Sequence, residues 1–225
     1  MAFAELHSSI GAATEPLLEK FKLPAFLHDK EDDYVPLRNC LHFIETAARM
    51  QGIADFGYLA SQRVKFAHWN QNARALILGA PTLFYALRAI CARAHVDVTN
   101  LHMYLEPHGE SLRICSRLRA STGMSHLEHS QWMQNLLPIE IVRQFASPDW
   151  APQTIAFQAR VHPGRDIQEC WPRTQFLSGQ PASWIDVPWQ YLGLPPLAPW
   201  QSHDPAGVQE MHSAHELIHS LRMMP

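Results

Sequence analysis

Apolar residues in the first hundred positions recur at helical spacing. Leu37, Leu41, Ile44 and Ala48 fall three or four apart, Cys40 joins their stripe, and the pattern runs to Gln51. One apolar face repeating in this way predicts an amphipathic helix. The acidic run 29–33 suits its start, where negative charge meets the positive end of the helix dipole. Further helices are predicted over 53–64 and 70–78, with Gly79 as a stop. Pro81 then breaks the chain, and Thr82 is placed to cap the next helix with its hydroxyl. Leu83, Ala86, Leu87, Ile90, Cys91 and Ala94 make the clearest stripe in the sequence.

After His95 the period changes from helical to alternating. Leu101, Met103 and Leu105 alternate with His102, Tyr104 and Glu106; Leu112, Ile114 and Leu118 alternate with Arg113, Cys115, Arg117 and Arg119. These segments predict two strands about a turn at Pro107-His108-Gly109. Helical spacing returns at Met133, Leu137, Ile141 and Phe145, with Pro138 inside the run. An interior proline costs a helix about 3 kcal/mol, which predicts a kink or two short helices. Three more strands are read in the stretches QTIAFQA, TQFLS and ASWIDV, with a short helix over 166–171 before the last two. A proline-rich segment from Val187 closes the globular part, and 208–223 reads as one more helix. The class is therefore α+β, with N-terminal helices followed by a mostly antiparallel sheet with covering helices, and a C-terminal linker and dimerisation helix. The expected division is 1–200 for the folded domain and 201–225 for the linker with its helix.

Composition narrows the function. Of 225 residues, 47% are hydrophobic and 17% charged, enough for a sizeable core. The net charge is -3 and no Lys/Arg block occurs, so nucleic-acid binding by this chain alone is not expected. Cys40, Cys91, Cys115 and Cys170 lie far apart without a C-x-x-C pair, which suits free thiols. Neither a signal peptide nor an apolar spanning run is found, so a cytoplasmic, membrane-free protein is the expectation.

Several landmarks, taken in order, carry a resemblance. Gly79-Ala80-Pro81-Thr82-Leu83 precedes Ala86-Leu87; Trp150-Ala151-Pro152 leads to the Ile155/Phe157 strand and His162-Pro163; then come 176–181 and the closing Leu194-Pro195-Pro196-Leu197. Together they resemble the N-terminal regulatory (arabinose-binding-like) domain of bacterial AraC-type transcription regulators, over roughly Leu37 to the end. The resemblance implies a small-molecule effector, a homodimer, and DNA contact only through a C-terminal helix-turn-helix domain absent from this chain. It also implies that Pro225 falls where a linker would be, as in a truncated regulator. Near 70–75 this chain has Asn and Ala where the group often carries glycines.

Residues for a ligand are then sought among groups that could grip one. Arg113 and Arg117 share a strand face with Tyr104 opposite, and arginine offers paired donors to a carboxylate. Trp69, Trp184 and Trp189 are further candidates to line a pocket, with Tyr191 beside them. In the tail, Met211, Ala214, Ile218 and Leu221 follow coiled-coil spacing and form the expected dimer seam. The same helix contains His215-Glu216-Leu217-Ile218-His219, the H-E-x-x-H pattern of zinc peptidases. Zinc needs a third protein ligand, and the downstream histidine of the extended motif is missing. His126 and His129 are a weaker metal pair, read as part of a solvated first helical turn. The expectation is a non-enzymatic sensor without cofactor or metal. A zinc-dependent hydrolase using His215, Glu216 and His219 is the alternative, and an interaction domain without a ligand is a third.

Overall fold

The computed structural model describes residues 2–24, 35–118, 127–160 and 162–198. The tail seam, the H-E-x-x-H pattern and the 200/201 boundary all lie outside the described residues, as do the acidic run 29–33 and His126. Fifteen elements are described, in the order α1 (Ala2–Ser9), α2 (Thr14–Lys20), α3 (Leu37–Gln51), α4 (Phe56–Ser61), a 3-10 turn (Phe66–His68), α5 (Gln71–Leu78), α6 (Leu83–Asp97), β1 (Leu101–His108), β2 (Ser111–Leu118), α7 (Glu128–Arg143), β3 (Thr154–Ala156), α8 (Arg165–Cys170), β4 (Gln175–Leu177), β5 (Ser183–Pro188) and α9 (Trp189–Leu192). The fold is α+β. Its sheet runs β1-β2-β5-β3-β4, antiparallel except for the β3–β4 pair.

Alternation along each strand gives the sheet two faces. Met103, Leu112, Ile114, Ile155, Ile185 and Val187 point to one face and pack with α6 and α7 in the main core. The apolar stripe of α6 is buried there as the sequence predicts. A second core joins α1 to α4, where Phe43, Ala47, Phe56 and Ala60 are fully buried. The two cores meet where α4 crosses α7. A Cβ on Gly57 would lie 2.2 Å from the His129 Cα, so only glycine permits that approach. His129 is itself buried, not solvated, and its Nδ1 accepts from the Gly57 N–H at 3.2 Å.

Other expectations need correction. Pro138 does not divide α7, which runs unbroken for 16 residues. Buried residues lie on all sides of α7, so packing offsets the missing hydrogen bond. Thr82 begins α6 without a side-chain cap; the Leu83 N–H donates instead to the Leu194 carbonyl at 2.9 Å. Gly79 ends α5 without a left-handed turn. A Cβ there would sit 2.7 Å from the Ala75 carbonyl oxygen, so close approach explains the glycine. Helix 53–64 shortens to α4, and Pro107 and His108 belong to β1 ahead of the turn. The last two strands form no hairpin, since β3 lies between β4 and β5. The chain returns past α7, where the Leu197 N–H donates to the Gln144 carbonyl at 2.8 Å.

Candidate functional site

Four of the six residues chosen from sequence share the sheet face turned away from the main core. Tyr104 pairs with Cys115, Cys115 with Trp184, and Trp184 with Ala156, in one row across the sheet. Arg113 and Arg117 flank Cys115 on β2. The face satisfies its own groups. Arg113 Nε donates to Asp186 at 3.0 Å, and its guanidinium carbon lies 3.8 Å from the Trp184 ring centre. Arg117 Nη2 donates to the Pro181 carbonyl at 3.0 Å. Burial pushes the Cys115 thiol up to about 11, and burial also raises the Tyr104 phenol.

The other two candidates lie elsewhere. Trp69 packs with Phe66 against the main core, and its buried indole N–H has no partner among the described residues. Trp189 sits beside the β1–β2 turn and donates to the Gly109 carbonyl at 3.0 Å.

A cleft of ≈ 1080 Å³ opens on another side; none of these six residues lines it, whereas Tyr191 does. It forms between α4, the C-terminal end of α7, the loop 147–153, the α8–β4 connection and α9. Local chemistry explains why it is held open. Arg143, on the last turn of α7, donates through Nε to the Trp150 carbonyl at 3.0 Å and through Nη1 to Glu140 at 2.8 Å. Glu140 also accepts from the Phe66 N–H at 3.1 Å, so its buried carboxylate is satisfied. Thr174 donates its hydroxyl to the Pro152 carbonyl at 2.7 Å. Thus the Trp-Ala-Pro corner ties the end of α7 to the α8–β4 connection, and the cleft lies against that tie.

The cleft walls are mixed. Trp150, Trp171 and Tyr191 supply rings, and Pro148, Pro172 and Pro188 supply rigid apolar surface. Trp171 Nε1 donates to the Tyr58 hydroxyl at 3.3 Å. Burial is the main reason the Tyr58 pKa is raised, so its phenol stays protonated at neutral pH. Lys65, Arg143 and Arg173 line the cleft as cations, and Asp149 as the one carboxylate among its lining residues. Among the described residues no group of three or more His, Cys, Asp or Glu side chains could hold a metal ion. None of the helices described is long and apolar enough to cross a membrane.

In the sequence Trp150 and Pro152 stand out only as landmarks ahead of a strand, because the cleft joins ends of elements far apart in the chain. A usable signal was present in the basic residues Arg143 and Arg173, placed at a helix end and in a loop.

Comparison with known proteins completes the picture. Residues 11–196 match the model of the arabinose-binding domain of AraC transcription regulators, at the N-terminus of those proteins. The chain belongs to that family. The chain has no match among curated proteins. Its fold is similar to the crystal structure of transcriptional regulator CdpR from Pseudomonas aeruginosa, with a TM-score of 0.53 and 11% identity. That likeness covers 79% of this chain and 54% of CdpR, so the chain spans about half the length of its structural relative.

Proposed function

We propose that this arabinose-binding-like domain senses a small-molecule effector in the cleft beside Trp150 and Trp171. In this reading it works in the bacterial cytoplasm as a homodimer, and it controls DNA contact through an attached C-terminal domain. Binding switches the regulator only if the effector favours one arrangement of the domain or dimer over the other.

The observation that carries the reading is the cleft itself. Its ≈ 1080 Å³ is at the upper end of ordinary ligand pockets, and it combines aromatic rings with many polar and charged side chains. The sheet face is the second reading, favoured by the convergence of Tyr104, Arg113, Arg117 and Trp184. It is weaker because none of those residues lines the cleft, and Arg113 and Arg117 are held by Asp186 and the Pro181 carbonyl.

Thermal-shift screening of the chain against sugars, amino acids, fatty acids and aromatic acids tests both. At least one class is expected to raise Tm in the wild type and to lose that effect in Ala151→Trp, which places an indole on the cleft wall between Trp150 and Pro152. A response kept in Ala151→Trp and lost in Arg113→Ala would move the site to the sheet. A flat response to every class would leave the interaction-domain reading in its place.

A further inference from the structure

The cleft is electrostatically one-sided although the chain is not. The whole protein carries a net charge of -3, yet three cations, Lys65, Arg143 and Arg173, face one carboxylate, Asp149, around this opening. Glu140 neutralises part of Arg143 from outside the lining, but an excess of positive charge remains.

The cations also differ in kind. Arg143 is held in place by the Trp150 carbonyl, by Glu140, and by Trp171, whose ring centre is 5.7 Å from the guanidinium carbon. Those bonds use Nε and Nη1; Nη2 takes no part in either. A guanidinium fixed in this way has already lost its rotamer freedom, so a ligand gains its donors at little entropic cost. Lys65 and Arg173 are exposed and can close on a bound group from the mouth. Tyr58, which accepts from Trp171, adds a protonated hydroxyl to the same wall.

Donors therefore outnumber charged acceptors, and rings and prolines share the remaining walls with neutral polar side chains such as Gln62, Gln153, Gln175 and Gln190. We infer that the cleft selects a small organic carboxylate carried on an apolar body. The carboxylate meets the arginine donors, and the body lies against Trp150, Trp171 and Tyr191. A neutral sugar of equal size would leave the cations unanswered, and an organic cation would be repelled. This inference rests on the cleft being the effector site, and it goes further by naming the ligand's charge and form.

Three probes that share one ring test it: 4-fluorobenzoate, 4-fluorobenzamide and 4-fluorobenzylamine, followed by fluorine NMR line broadening with the 225-residue chain. The benzoate is expected to bind about tenfold more tightly than the amide, and the amine not at all. In Lys65→Glu/Arg173→Glu that preference should vanish. These exposed positions leave the Arg143 bonds intact, and circular dichroism confirms that the variant is folded. Equal binding of benzoate and amide, stronger binding of the amine, or an unchanged preference in the double variant would overturn the charge assignment. The two failures separate cleanly. A neutral compound that stabilises the wild type but not Ala151→Trp sinks the carboxylate and keeps the cleft. A benzoate signal that persists in Ala151→Trp sinks the cleft as well.

Discussion

The outer sheet face and the cleft use the same residue types to opposite ends. On the sheet face an arginine, a tryptophan and a tyrosine meet groups of the protein itself. Arg113 is paired with Asp186 and stacked on Trp184, and the thiol of Cys115 is buried beneath them. In the cleft two arginines, two tryptophans and two tyrosines surround open volume. Residue identity alone does not separate a site from a strut. What separates them is open volume: Arg143, Tyr58 and Trp171 have partners as well, but they border a cleft.

The largest test of this contrast is Trp184→Ala. Trp184 is 6% exposed and anchors the small cluster on its face, so its truncation should cost about 3 kcal/mol. Chemical denaturation measures it, and a loss near zero would mean that the face bears no structural load. Thiol labelling gives the next contrast. Cys115, pushed up to about 11 by burial, is protonated at pH 8, and the thiolate is the reacting form. Cys170 is exposed at the cleft. Iodoacetamide followed by peptide mass spectrometry should modify Cys170 at least about 100-fold faster than Cys115. Raising the pH toward 11 should narrow the gap, because more of the Cys115 thiol then ionises.

A smaller effect belongs to the Arg113–Asp186 pair, whose side chains are 21% and 17% exposed. Solvent screening limits a double-mutant cycle with Arg113→Met and Asp186→Asn to about 0.5–1 kcal/mol of coupling. Zero coupling would reopen Arg113 as a ligand donor. Smallest of all is Arg173→Ala, which should change stability by less than about 0.5 kcal/mol while weakening the benzoate probe. A large loss of stability there would make Arg173 a strut like Arg113.

How much of this was readable in advance depended on whether a feature was periodic. The stripe of α6 and the alternation of β1 and β2 repeat within a few residues, and both elements stand close to where the sequence put them. The shared face of Tyr104, Arg113 and Arg117 follows from the same alternation. That Trp184 joins them needed the β2–β5 register, which no local pattern encodes. Pro138 misled because the cost of an interior proline is local, whereas the burial that offsets it comes from both cores around α7. The cleft escaped notice for a related reason. Lys65, Arg143, Trp150 and Arg173 are brought together by bonds to the carbonyls of Trp150 and Pro152, not by any repeat.

The two bonds of the closing segment have a mechanical meaning. Leu194 is tied through its carbonyl to the first turn of α6, and Leu197 through its N–H to the residue after Arg143. A chain tethered at one point has a position; a chain tethered at two points, three residues apart, also has a heading. The heading of the chain at Ala198, the last described residue, is therefore set jointly by α6 and by the end of α7, the helix whose last turn carries Arg143.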